Sequence, residues 1–261
     1  MRALVVISSE NKASVNIRDC LLGMVKMQKD DEAHWMGDNF DMAEYDGRII
    51  DIVPSHEADY YIFASTHKSE SNLPNFTAHT PGNWGSAEMG GREKTLNIAY
   101  GSKVAAAARE MARLSAQSLK WETSIEADHH GPSLEKPVLF VEIGSSDAQW
   151  GNPAAGEIAA RGIVAAVEAK DAESVRVGFG GSHYCPKFGP LALSGESVFG
   201  HIIPGYSLRQ EAVDEKMVRQ AIGKNVESVE CAALDWKGIG GKSRRELIAI
   251  LESMGIKWVK A

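Results

Sequence analysis

The sequence predicts an α/β fold, a single domain built on a mixed, mostly parallel sheet flanked by helices, and three observations carry that expectation. Short apolar runs rich in Val, Ile and Phe alternate with longer segments whose apolar residues recur three and four apart. Polar turns follow the carboxyl ends of several of those runs, as in open α/β sheets. The chain has 261 residues, 44% hydrophobic and 24% charged, which suits one unit with a sizeable core. No linker, repeat or low-complexity tract divides it, so residues 1–261 are expected to form one domain.

Residues 3–7 open as a core strand and Val15 to Met27 reads as a helix. Ala33 to Ile52 mixes aromatic, acidic and glycine residues, as short strands about the turn Asp46-Gly47 would. Asp59 to Ala64 is a buried type of strand that opens into Ser65-Thr66-His67-Lys68-Ser69-Glu70. Residues 72–92 read as a loop of about twenty residues, a length that in a compact domain usually has a function. Leu96, Tyr100, Val104, Ala107, Met111 and Leu114 predict one long amphipathic helix over 95–118. Two strands follow, Trp121 to Ala127 and Val138 to Ile143, joined by the turn that holds His129-His130.

Asn152-Pro153 starts the next helix, because Asn caps and Pro fits a first turn that lacks a use for its N–H. Ser174 to Phe179 is a strand leading into Gly180-Gly181-Ser182-His183-Tyr184-Cys185, and Gly200 to Tyr206 repeats the theme. Val213, Met217 and Ala221 place a helix over 211–223, and Val229 to Leu234 is a last strand. Ser243-Arg244-Arg245-Glu246 reads as a capping box before a helix with Leu247, Ile250, Leu251 and Met254 on one face.

Three scattered cysteines, Cys20, Cys185 and Cys231, form no C-x-x-C and suit a reducing cytoplasm. The opening apolar run is too short for a secretory signal, and no stretch approaches the length of a membrane span. A net charge of −7 argues against a nucleic-acid partner, but the distribution does not. Residues 216–261 carry nine Lys/Arg against five Asp/Glu, so a basic end sits on an acidic body. A solvated helix face would look the same.

Of eight histidines, six (His67, His79, His129, His130, His183 and His201) lie in Gly-, Pro- or Ser-rich segments after apolar runs. One buried histidine is usually a satisfied core residue; six in the same context favour a shared site. Imidazole is a common zinc ligand, and zinc lowers its bound water's pKa to about 7. A histidine near its free pKa of about 6.5 can equally take a water proton without metal. Glu142 is placed to orient such a group or to act as base, and Lys68, Asn83 and the Gly180-Gly181 backbone are candidates to hold an oxyanion or phosphate. Two other motifs fail. Gly240-Gly241-Lys242-Ser243 lacks the first glycine of a phosphate loop, since Trp236 stands there, and Gly144-Ser145-Ser146 lacks the second glycine of a nucleophile elbow. Cys185 beside His183 reads as a small buried residue before a ligand.

The segments Ser65 to Glu70, His79-Thr80-Pro81-Gly82-Asn83-Trp84, His129-His130-Gly131-Pro132, Val141 to Ser146, Gly180 to Tyr184 and Gly200-His201 occur in one order. Together they resemble the D-aminoacyl-tRNA deacylase family of the archaeal and plant type, over essentially the whole chain. Two residues depart from the pattern: Asp128 stands where a small or hydroxyl residue is expected, and Gly205 where a lysine is expected. The first adds a negative charge beside the histidines and the second removes a phosphate contact.

The resemblance implies a fold similar to peptidyl-tRNA hydrolase and, more distantly, to nucleoside phosphorylases. It implies a cytoplasmic monomer that uses Zn2+, two ions per subunit, to hydrolyse the ester between a D-amino acid and the 3′-terminal ribose of tRNA. His67, His129, His183 and His201 are then expected as metal ligands, and Glu142 with His79 or His130 as the groups that activate water. Trp84 is expected to stack on the terminal adenine, or else to anchor its loop in the core. Lys237, Lys242, Arg244 and Arg245 would meet the acceptor stem. A peptidyl-tRNA hydrolase-like esterase, a nucleoside phosphorylase-like enzyme and a non-catalytic tRNA-binding protein are the alternatives.

Overall fold

The computed structural model describes residues 1–210 and 213–261. In order these form β1 (Ala3–Ser8), α1 (Lys12–Met24), β2 (Met27–Lys29), β3 (His34–Gly37), β4 (Phe40–Tyr45), β5 (Tyr60–Lys68), β6 (Asn75–His79), β7 (Gly82–Asn83) and β8 (Thr95–Leu96). There follow α2 (Gly101–Gln117), β9 (Glu122–Ile125), β10 (Val138–Ser145), α3 (Asp147–Trp150), α4 (Pro153–Glu168), β11 (Ser174–Phe179), α5 (Phe188–Ser194) and β12 (Phe199–Ile203). Last come α6 (Ser207–Gln210), α7 (Glu215–Gly223), β13 (Ser228–Leu234), α8 (Gly241–Ser253) and β14 (Trp258–Lys260).

The architecture is the mixed, mostly parallel α/β arrangement that the sequence predicts, with the strands divided between sheets. An eight-stranded sheet has the order β2-β3-β4-β1-β5-β10-β6-β9, and a four-stranded sheet the order β12-β11-β13-β14. In the larger sheet the central neighbours β4, β1, β5 and β10 run parallel, whereas β6 opposes β10. The four-stranded sheet is parallel throughout. An apolar run shows that a strand exists, not which neighbour it joins, so the second sheet is silent in the sequence.

Alternation along β1 sends Ala3, Val5 and Ile7 to the face covered by α1, α2 and α4, and Leu4 and Val6 to the other, beside Phe63 and Phe140. Small residues let α2 and α4 meet closely: Ala107, Ala108, Ala159 and Ala160 are fully buried, and a Cβ on Gly162 would lie 2.7 Å from Met111 Cγ. α7 and α8 cover the smaller sheet through Met217, Val218, Leu247 and Leu251. Among the described residues no helix is long and apolar enough to cross a membrane.

Local signals fixed some helix ends and misled at others. Asn152 accepts from the N–H groups of Ala154 and Ala155 ahead of Pro153, as its composition predicts. Asn11 caps α1, which starts at Lys12, three residues before the expected Val15. The helix expected over 95–118 begins only at Gly101, because the buried Glu227 carboxylate accepts from the N–H groups of Gly101 (3.3 Å) and Ser102 (2.7 Å). Thr95 and Leu96 pair instead with β7. The loop expected over 72–92 contains β6, whose buried Thr77 and His79 hide the strand's apolar pattern. The capping box at Ser243 is absent: α8 starts at Gly241, and Ser243 donates to the Leu208 carbonyl at 2.7 Å. Of the helix expected over 211–223, residues 215–223 are helical, and 211 and 212 lie outside the described residues.

A buried histidine and glutamate cluster as candidate metal centre

The carboxyl ends of β1 and β5 open on a cavity of about 470 Å³, lined among others by His67, Lys68, Met89, His129, His130, Glu142 and His183. A second cavity of about 210 Å³ reaches the same cluster, since it too is lined by Met89, His129 and His130. Register does the gathering. Glu142 on β10 lies opposite Ser65 of β5 and Thr77 of β6, while Gly144 lies opposite His67. β9 pairs Ile125 with Ala78, so the next residue, Glu126, emerges beside His79. The turn after it carries His129 and His130, and the loop after β11 brings His183.

Hydrogen bonds fix which nitrogen of each ring carries a proton. Nδ1 of His130 donates to the Gly131 carbonyl (2.6 Å), so its Nε2 must accept from Nε2–H of His79 (3.3 Å). His79 is left with its Nδ1 lone pair, buried and unpartnered, facing Oε2 of Glu126 at 3.3 Å. Nδ1 of His129 donates to the Ala127 carbonyl (2.8 Å), which leaves its Nε2 lone pair. Nε2 of His183 and Nδ1 of His67 lie 3.1 and 3.2 Å from Oε1 of Glu126, and Nδ1 of His67 is 3.6 Å from Glu142. Neither oxygen of the fully buried Glu126 accepts a well-aligned hydrogen bond. A buried acceptor facing other acceptors is costly unless a cation lies between them.

The electrostatics agree. Burial opposes ionisation of Glu126, yet the His183, His79 and His129 rings hold it well below the usual carboxylate range. Glu142, also buried, is lowered by its contact with His67 and by His79; Thr77 Oγ1 donates to it at 3.0 Å. Burial together with neighbouring imidazoles drives His129 well down and His130 down to about 4, so both are neutral lone-pair donors at neutral pH. Burial would lower His67 as well, but Glu142 and Glu126 outweigh it and raise that ring. Three groups bring ligand atoms within 4.8 Å of one another: His79-His129-His130, Glu126-His129-His183 and His67-Glu126-Glu142. Mixed imidazole and carboxylate donors of this kind suit zinc.

The expected site residues divide accordingly. The structure brings together His67, His79, His129, His130, His183 and Glu142. His79, fully buried, lies behind the cavity walls, which removes it from reach of a substrate proton. His201 stands apart: Nε2 donates to the Lys224 carbonyl (2.8 Å) and Nδ1 meets Asp128 Oδ2 at 2.5 Å, leaving no lone pair for a metal. Asp128 therefore points away from the cluster, and its Oδ1 accepts from Ile202 N–H.

Lys68 is exposed on the rim of the larger cavity. Asn83 spends its amide on the Gly90 and Arg92 carbonyls, so it shapes the loop instead of binding an oxyanion. Gly180 N–H is used by Ile203 in the smaller sheet. Trp84 is 4% exposed and set edge-on to Phe179 in the core, yet it lines the smaller cavity. Lys237, Lys242 and Arg245 are exposed, whereas Arg244 lies over Trp236 and donates to its carbonyl (2.6 Å), which takes it out of a free basic face. At Gly205 a Cβ would collide with the Gly238 carbonyl, so no lysine fits there. Glu126 is a site residue that the sequence pattern did not single out. Its signal was present all the same, an acidic residue closing a strand three positions before paired histidines.

A family model described as D-aminoacyl-tRNA deacylase matches residues 54–259. A D-aminoacyl-tRNA deacylase of Thermococcus kodakarensis is 36% identical over 98% of this chain and 99% of its own length. Those of Pyrococcus furiosus (96% of each chain) and Methanocaldococcus jannaschii (99% of each) are 34% identical. The crystal structure of a conserved protein of unknown function superposes with a TM-score of 0.91 at 27% identity, over 99% of this chain and 95% of the other. The chain belongs to the D-aminoacyl-tRNA deacylase family.

Proposed function

We infer that the chain hydrolyses the ester joining a D-amino acid to the terminal ribose of tRNA, releasing both, as a cytoplasmic monomer. Beyond family membership, one observation carries this reading: the two cavities meet at a buried cluster whose Glu126 oxygens and His79 Nδ1 have no donors among the described residues. Two Zn2+ ions are the cofactor this donor set fits, held by His67, Glu126 and Glu142 on one side and by Glu126, His129 and His183 on the other. Bound zinc supplies Lewis acidity and a water with a pKa near 7.

The chain's own groups do the rest. Glu142, ionised and fixed by Thr77, faces the larger cavity and takes the proton of the attacking water. His130 lines both cavities and shares one proton with His79 behind it, a short relay away from the ester oxygen. Trp84 offers the smaller cavity a buried indole N–H without a partner among the described residues, a donor for the terminal nucleoside. Lys237, Lys242 and Arg245 supply the phosphate contacts.

The test is amino acid release from D-tyrosyl-tRNA and L-tyrosyl-tRNA, with and without a chelator. Release from the D form alone, lost on chelation, is expected. Release from N-acetylated L substrates would favour the peptidyl-tRNA hydrolase reading, release from both free forms would overturn the D preference, and activity untouched by chelation would remove zinc from the chemistry.

A further inference from the structure

Tyr184 follows His183 in the loop after β11. It is 39% exposed, yet its hydroxyl is engaged on two sides. Oη lies 3.0 Å from Nε2 of His67 and donates to Oγ of Ser69 at 3.1 Å. A phenol has one proton. With that proton on Ser69, the contact to His67 is one in which Nε2–H donates and Oη accepts. Nδ1 of His67 is thereby turned to Glu126 (3.2 Å) and Glu142 (3.6 Å). The aromatic ring also meets His67 edge-on at 5.8 Å and His183 at 5.1 Å, so it touches rings on either side of Glu126. Its far side lines a third cavity of about 460 Å³ together with Leu73, Lys120 and Trp121.

We propose that Tyr184 is a positioning residue for the metal centre, its hydroxyl holding His67 as the Nε2–H tautomer so that Nδ1 is presented to a cation shared with Glu126 and Glu142. The proposal rests on the reading that this group binds a divalent cation. A ligating imidazole whose second nitrogen has no acceptor is free to rotate and is a weaker donor, and partners of this kind typically contribute ten- to hundredfold, roughly, in metal affinity. Nothing in the bare sequence marks the role, because Tyr184 and His67 are 117 residues apart.

Tyr184→Phe removes the hydroxyl and keeps the ring that walls off the third cavity. Zinc dissociation constants, read by competition with a chelating dye, and the visible spectrum of the cobalt-loaded protein test it. The Phe variant is expected to bind one of the ions roughly ten- to hundredfold more weakly, with an altered cobalt spectrum and an unchanged melting temperature of the metal-free protein. Wild-type affinity and spectrum in that variant overturn the proposal alone. A wild-type protein that takes up no zinc overturns the metal reading and the proposal with it. Should the Phe variant not fold, Ser69→Ala, which frees the phenol proton to point at His67, serves instead: weaker zinc binding supports the proposal and unchanged binding refutes it.

Discussion

Glu126→Gln is the sharpest test of how the cluster works. The change keeps shape and volume, so the strand end and its approach to His67, His79 and His183 stay sterically possible. It removes one fully buried negative charge and turns half of an acceptor pair into a donor. Glu126 belongs to two of the three candidate ligand groups, so both sides of the cluster are weakened by it. Removing one partner of a buried charged constellation costs about 3–5 kcal/mol. At about 1.4 kcal/mol per decade that is two to four decades of zinc affinity, with a matching fall in turnover. Zinc stoichiometry after dialysis, with release of D-tyrosine from D-tyrosyl-tRNA, measures both. A Gln variant that keeps two ions and turns over within about tenfold of wild type, a change of only about 1.4 kcal/mol, would refute the assignment of Glu126 as the shared ligand. Retained ions with turnover abolished would instead move it from ligand to base.

Lys242→Ala with Arg245→Ala should flatten the salt dependence of tRNA binding, by up to about 0.7–0.9 of slope for each phosphate that the pair neutralises; Arg244 is left intact because it supports Trp236. An unchanged slope removes both residues from the interface. At alkaline pH, burial, with Asp171 and Asp59 adding, pushes Tyr60 up to about 12. Its contribution to stability is therefore fully present below the unfolded value near 10 and is lost as pH rises toward 12. Tyr60 is 1% exposed, so roughly 3 kcal/mol of pH dependence is expected. Across that range urea unfolding should show wild type losing stability relative to Tyr60→Phe as pH rises, and parallel curves would contradict the shift. Gly205→Ala places a Cβ against the Gly238 carbonyl and within 3.2 Å of the Gly181 carbonyl. A loss of about 1–3 kcal/mol is expected, read as a lower urea midpoint; an unchanged midpoint would mean that the three glycine loops have room to spare.

Element types were legible wherever burial and period agree. β10, with eight buried residues, and α4, with its Asn-Pro start, announce themselves. β6 does not, because a strand that buries Thr77 and His79 for the site breaks the apolar run that would reveal it. The start of α2 is hidden for another reason: its cap is Glu227, more than 120 residues further along, and periodicity alone carries the helix back over residues that pair elsewhere. The site followed the same division. Residue type and loop context picked out His67, His79, His129, His130, His183 and Glu142, but roles depend on what each second nitrogen touches. Those partners are a backbone carbonyl for His129 and His130, another ring for His79 and a phenol for His67.

Charge explains why His201 left the group. The cluster already holds two buried carboxylates, Glu126 and Glu142, a deficit of positive charge that a bound metal would make good. A third carboxylate facing inward would deepen that deficit, and a buried charge without a partner costs several kcal/mol. Asp128 stands two residues from Glu126, yet its carboxylate is turned away to the smaller sheet, 2.5 Å from His201, with the Ile202 N–H on its other oxygen. His201 in turn anchors on the Lys224 carbonyl at the end of α7. The acidic departure from the family pattern and the histidine that binds no metal are thus one feature. The histidine offsets the extra charge, and the pair ties the turn carrying His129 and His130 to the second sheet.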